Sequence, residues 1–156
     1  MKISFWALGK NHEPYIKPGV DEFTKRISHY FKADWKIIPA PKNAGKLGEA
    51  ELRKAEAKMI MDSLDKDDYL VALDEQGVQF RSDGLAEFIG SRANASTKQL
   101  IFLIGGAYGL DDSLLQRANQ VWSLSLLTFP HQLVRLILAE QVYRACTILK
   151  NEKYHH

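Results

Sequence analysis

Leu100-Ile101-Phe102-Leu103-Ile104, running straight into Gly105-Gly106-Ala107-Tyr108-Gly109-Leu110, is the stretch on which the fold turns. Its five apolar residues leave no polar face, so it reads as a central strand of a parallel sheet, buried on both sides. The glycines behind it mark a turn at the strand's carboxyl end. Outward from there, four short runs read as further strands: Lys2–Leu8, Trp35–Pro39, Tyr69–Leu73 and Val121–Leu124. Helical patterns separate them, at Val20–Phe31, Glu49–Leu64, Leu85–Ala93, Ser113–Ala118 and from His131 to near Lys150. In the second, Leu52, Ala55, Met59, Ile60 and Leu64 share one helical face. The alternation predicts an α/β fold, a mostly parallel sheet with helices on both faces.

At 156 residues the chain is expected to form one domain. Its 21 basic and 19 acidic side chains give a net charge of +2, too little to hold nucleic acid by charge alone. A nucleic-acid partner would need cations gathered on one face or shared across a dimer. The single cysteine, Cys146, excludes an internal disulfide and a cysteine metal cage. The histidines lack zinc spacing, so no metal is expected. No apolar run approaches the roughly 20 residues of a membrane span. The opening apolar stretch is brief and reads as a strand rather than a signal peptide, which predicts a cytoplasmic protein. Ala40–Gly48, with Pro41, Gly45, Lys42 and Lys46, reads as a basic loop: a solvated connection, or a flap over substrate.

Open parallel sheets bind ligands beyond the carboxyl ends of their strands. Three such ends carry unusual residues: Leu73-Asp74-Glu75-Gln76-Gly77, the glycine turn at 105–110, and Leu124-Ser125-Leu126-Leu127-Thr128-Phe129-Pro130-His131. The glycine turn has neither the Gly-Lys-Ser/Thr ending of a P-loop nor the dinucleotide fingerprint. Asp111 and Asp112 behind it would cap a helix and repel phosphate. What remains suits a flat ligand lying against backbone. In the third segment, Leu126, Leu127 and Phe129 fall in a connection, so core, partner subunit or ligand must cover them. His131 falls on the first turn of the last helix, near the strand ends. That helix is apolar on more than one side, which predicts a second copy of the chain packed against it. Arg135, Glu140 and Arg144 interrupt its apolar surface, as a salt-bridged rim or as part of a site.

LDEQG (73–77), LIGGAYGL (103–110), SLSLLTFPHQLVR (123–135), LAEQVYRA (138–145) and NEKYHH (151–156), taken together, resemble the ribosomal RNA large-subunit methyltransferase H family. The resemblance spans the whole chain. It is most specific in the C-terminal half and mainly one of pattern before that. The chain departs from the family at Pro18-Gly19, which would disturb the first helix, and at His156, where a basic residue is usual. The resemblance implies a SPOUT-class fold with a C-terminal trefoil knot within about residues 100–150, working as a homodimer. It implies methylation of N3 of a pseudouridine in large-subunit (23S) ribosomal RNA, with S-adenosylmethionine as cofactor. It places the cofactor against Leu73, Gly105, Leu124, Ser125, Leu126, Leu127, Thr128 and Phe129.

An imide nitrogen is a poor nucleophile until its proton leaves, so the reaction calls for a base or for cations around the deprotonated ring. The candidates are His131, Glu140, Arg144, Tyr154 and His155. The Tyr154-His155 tail with Arg144 is favoured, because a tail can reach across a dimer. Arg135 and Arg144 could alternatively hold phosphate. Three other readings stand beside this one, one of them a nucleotide-binding fold of flavodoxin type, against which the missing phosphate motifs count. The chain could be a SPOUT methyltransferase acting on another RNA such as transfer RNA. It could also be a non-catalytic ribosome- or RNA-binding module using Lys2, Lys10, Lys17, Lys25 and Arg26.

Overall fold

The computed structural model of the chain describes all 156 residues, Met1–His156. Five strands form one sheet: β1 (Lys2–Leu8), β2 (Lys32–Ile38), β3 (Tyr69–Val78), β4 (Gln99–Ile104) and β5 (Gln120–Trp122). Their order is β2-β1-β4-β3-β5, and every neighbouring pair is parallel. The central position of β4 follows from its composition. Leu100, Phe102 and Ile104 enter the core on one face, Ile101 and Leu103 the core on the other. Side chains alternate across a strand, so only an unbroken apolar run fills both cores.

The helices are α1 (Lys17–Ile27), α2 (Glu49–Ser63), α3 (Ser82–Asn94), α4 (Asp112–Arg117) and α5 (His131–Leu149). Helices α3 and α5 cover one face, through Leu85, Ala86, Ile89, Leu138, Val142, Ala145 and Cys146, and α1 adds Ile27 there. Helices α2 and α4 cover the other, through Ala57, Ile60 and Leu114. The expected sheet with helices on both faces is what the chain forms.

Several boundaries differ from those expected, β2 beginning at Lys32 and β5 ending at Trp122 among them. Helix α1 starts three residues early, at Lys17, and stops at Ile27. Pro18 lies in its first turn, where a missing N–H leaves no bond unmade, so the proline does not disturb the helix. Strand β3 continues past Leu73 to Val78 through a bulge: Leu73 and Val78 both pair with Trp122. The 74–76 stretch, expected to follow the strand, therefore lies within β3 as the unpaired part of the bulge. The basic 40–48 loop contains one 3-10 turn, Ala44–Lys46.

Asp111 caps α4, as its position suggested. Its carboxylate accepts from the Ser113 backbone N–H and hydroxyl, at 3.1 and 2.6 Å, and these bonds hold it below its ordinary range. Asp111→Ala is expected to lower stability by about 1 kcal/mol in urea unfolding.

Candidate active site

The carboxyl ends of β4, β3 and β5 open into one cleft of about 1040 Å³. Four segments build it: the β3 bulge, the glycine turn, the run from Trp122 to Phe129, and the first turn of α5. Leu73, Gly105, Leu124, Ser125, Leu126, Leu127, Thr128 and Phe129 all line it, as does His131. The structure thus brings together, in one cleft, residues that lie far apart in sequence.

Each wall has a local cause. In the glycine turn, Gly109 adopts φ of +79° and donates to the Gly106 carbonyl at 3.2 Å, closing a tight bridge. Behind it the carboxylate of Glu56, on α2, sits where a Gly106 side chain would be, 2.9 Å from an added Cβ. Burial raises the pKa of Glu56. In the last wall Ser123 Oγ donates to the Ser125 carbonyl at 3.0 Å, and Ser125 Oγ accepts from Leu127 N–H at 3.0 Å. The backbone N–H groups of Leu124, Ser125, Leu126, Thr128 and Phe129 have no acceptor within the chain. Leu126 is 88% exposed and Leu127 72% exposed, so neither is covered by the core of its own chain. A flat, edge-polar ligand fits such a lining, with unpaired backbone donors at its rim and apolar side chains along its faces.

His131 is half-buried, and its Nε2 has no partner. Burial lowers its pKa, the Arg135 charge lowers it further, and a hydrogen bond with the Gly105 backbone opposes both. A histidine whose folded pKa lies below its unfolded value of 6.5 costs no stability above that pH. As pH falls through 6.5 the unfolded chain takes up the proton first, and stability declines until the folded-state pKa is passed. His131→Gln is therefore expected to flatten the fall in urea midpoint between about pH 7 and pH 5. His12, likewise depressed by burial and by Arg135, adds slope of the same sign.

Glu140, Arg144, Tyr154 and His155 form a separate cluster. Arg144 Nη2 and Nε donate to Glu140 Oε1 at 2.7 and 3.1 Å, and Tyr154 Oη donates to the same oxygen at 3.1 Å. The guanidinium lies 4.8 Å over the Tyr154 ring, and Arg144 Nη1 is 3.4 Å from His155 Nδ1. Burial and the Glu140 contact raise the Tyr154 pKa, which keeps the phenol protonated and makes it a donor. At about 1.5 Å of rise per residue, Arg144 lies about 20 Å along α5 from His131. Within one chain the tail cluster and the cleft are therefore apart.

Arg135 corrects one expectation. It is no rim residue: its side chain is fully buried and has no carboxylate within ion-pair distance. The Glu140–Arg144 pair alone fits the salt-bridged reading. Sequence reasoning missed Arg53, Trp122, Ser123 and Val134, which also line the cleft. Ser123 and Trp122 adjoin a flagged segment and were within reach. Arg53 comes from α2, whose approach to the glycine turn has no local signature.

Residues 1–155 match the family model described as "Predicted SPOUT methyltransferase". The chain is 47% identical to the ribosomal RNA large subunit methyltransferase H of Cytophaga hutchinsonii, over the full length of both. It is 42% identical to the protein of that name from Flavobacterium johnsoniae, over all of this chain and 99% of the relative. With the one from Trichlorobacter lovleyi it shares 44% identity over the full length of both.

Proposed function

The chain belongs to the SPOUT methyltransferase family, and from that premise we propose that it methylates N3 of a pseudouridine in large-subunit (23S) ribosomal RNA, with S-adenosylmethionine as donor. The observation that carries this reading is the single cleft in which Leu73, Gly105 and Leu124–Phe129 meet, walled by apolar side chains and edged by unpaired backbone N–H groups. Such an edge can pair with an adenine ring, while Leu and Phe side chains enclose its faces. The names of the relatives support the ribosomal substrate. A ribosomal substrate in turn supports a cytoplasmic location.

When bound, the donor supplies an activated methyl group, and its transfer to nitrogen is an in-line displacement in which positioning provides much of the acceleration. The chain's own residues provide the rest. The N3–H proton must leave as the new N–C bond forms, and His155 takes it on Nδ1 once the 3.4 Å contact of that nitrogen with Arg144 Nη1 opens. Arg144 and the Tyr154 phenol, gathered by Glu140, can stabilise negative charge on the base.

This assignment requires a homodimer, in which the tail of one chain serves the cleft of its partner. Two observations support it: the separation of about 20 Å along α5, and the exposure of Leu126 and Leu127 beside the cleft. We further propose that residues 1–156 form a single SPOUT domain whose C-terminal part is threaded as a trefoil knot. Support comes from the chain path: after β5 at one edge of the sheet, α5 returns to contact the end of β1 through Arg135 and Leu8.

The test is twofold. Calorimetry is expected to show S-adenosylmethionine binding, which a non-catalytic RNA-binding module would lack. Labelled methyl groups are expected in large-subunit RNA of purified ribosomes and not in bulk transfer RNA. The reverse pattern would redirect the enzyme to another RNA.

A further inference from the structure

A second cleft of about 630 Å³ lies on the same edge of the sheet, at the carboxyl ends of β1 and β2. Its wall is the loop Gly9–Pro14, closed by Ile37 and Pro39. The start of α5 serves both clefts. His131 lines the first. Gln132 holds the loop of the second: Oε1 accepts from Glu13 N–H at 3.1 Å, and Nε2 donates to the Asn11 carbonyl at 3.2 Å. Arg135 Nη2 reaches the Leu8 carbonyl at 3.5 Å, and Nη1 donates to His12 Nδ1 at 3.2 Å.

Three features give this cleft a positive bias. Arg135 is fully buried with Nε unpartnered and with no ion pair, an arrangement costly enough to call for a countercharge. Glu13, in the wall, is the carboxylate whose field reaches Arg135, and it does not pair with it. Lys10 stands in the same wall with no ion-pair partner. The third feature is the loop backbone: beyond Gly9, at φ of +106°, the N–H groups of Lys10, Asn11 and His12 have no acceptor in the chain. Consecutive free amides at a turn make a concavity suited to anions. An arginine can only donate, so His12 Nδ1 is the acceptor and the ring carries its proton on Nε2. His12 is thereby fixed as a donor.

We propose that this second cleft is an anion subsite that seats a phosphodiester of the RNA substrate beside the methyl-donor cleft. Lys10, the His12 ring and the free loop amides touch the phosphate. Arg135, beneath them, is a positioning residue that holds His12 and supplies charge from below. The inference rests on the RNA-methyltransferase reading, and it gives the shared start of α5 a role: one helix end fixes donor and substrate relative to each other.

The test measures binding of a short single-stranded RNA oligonucleotide by the full-length protein over a range of salt, alongside binding of S-adenosylhomocysteine. Lys10→Ala is expected to weaken RNA binding about tenfold and to lower the slope of log affinity against log salt by about one. S-adenosylhomocysteine affinity should not change. Arg135→Lys, which keeps the charge, should retain the slope that Arg135→Gln loses. Nuclear magnetic resonance of wild-type protein titrated with inorganic phosphate provides a measurement without any substitution, and the His12 ring signals are expected to move. Unchanged RNA affinity and slope in Lys10→Ala, equal loss of both ligands, or His12 signals indifferent to phosphate would each overturn the subsite. Failure of the wild type to bind S-adenosylhomocysteine would instead overturn the methyltransferase reading, and the phosphate titration stands apart from it.

Discussion

Deleting Tyr154, His155 and His156 is expected to slow methyl transfer by about 10²–10⁴-fold, the range for loss of a general acid–base group. Donor affinity should stay within about twofold, since none of the deleted residues is among those that line the donor cleft. Single-turnover assays on ribosomal particles, paired with S-adenosylhomocysteine calorimetry, separate the two quantities. Mixing adds a sharper reading. A tail-deleted chain co-refolded with a chain whose cleft is blocked by Gly105→Trp should recover activity, because one of the two sites in the mixed dimer then combines an intact cleft with an intact tail. If the tail worked within its own chain, neither site of the mixed dimer would be complete and no activity would return. Should the tail-deleted protein turn over at the full rate, Tyr154 and His155 leave the catalytic scheme.

Gly77→Ala is expected to produce the largest structural effect of any glycine change. A Cβ at that position would stand 2.5, 2.6 and 2.7 Å from the carbonyl carbon, nitrogen and Cα of Trp122. These are backbone atoms and cannot swing aside, so β5 must separate from the bulge. The Trp122 ring lies against Phe80, Phe88 and Phe102 at centroid distances of 4.7, 4.6 and 5.6 Å, which ties any shift of β5 into the core. The Ser123 N–H bond to the Val78 carbonyl, 2.9 Å, would be strained as well. Overpacking of this kind costs about 1–3 kcal/mol, or about 2–4 °C of melting temperature for each kcal/mol in a chain of this size. Donor affinity should fall too, because β5 leads directly into the Leu124–Phe129 wall. Gly45→Ala is the control: nothing lies within 4 Å of an added Cβ there, and neither stability nor binding should change appreciably.

Much of the fold was legible because its signals are local. The unbroken apolar run at 100–104 could fill two cores only from the middle of the sheet, and β4 is found there. Asp111 stood two residues before the helical pattern expected from Ser113, and it caps the helix that begins at Asp112. The bulge in β3 was not legible. Asp74, Glu75 and Gln76 look like a turn in sequence, and only the second pairing of Val78 with Trp122 returns the chain to the sheet. In the site, the apolar residues Leu126 and Leu127 stood out because a connection gives them nothing to pack on, and in the single chain they are exposed. Arg135 was misjudged because periodicity reports which face of a helix a residue occupies and not what stands opposite. Opposite it are Leu8, at the end of β1, and His12, in the loop that follows, both more than a hundred positions earlier in the chain.

The amino-acid sequence by itself determined the strand and helix alternation, the buried centre of the sheet, and the segments able to enclose a flat ligand, because each depends on spacing within a few residues. Tertiary structure alone decided that these segments share one cleft, that the catalytic candidates fall into two groups, and that a buried arginine underlies a second cleft. Those outcomes depend on which carboxyl ends stand side by side and on where a long helix crosses them. They are fixed by packing between residues far apart in the chain, where no local pattern reaches.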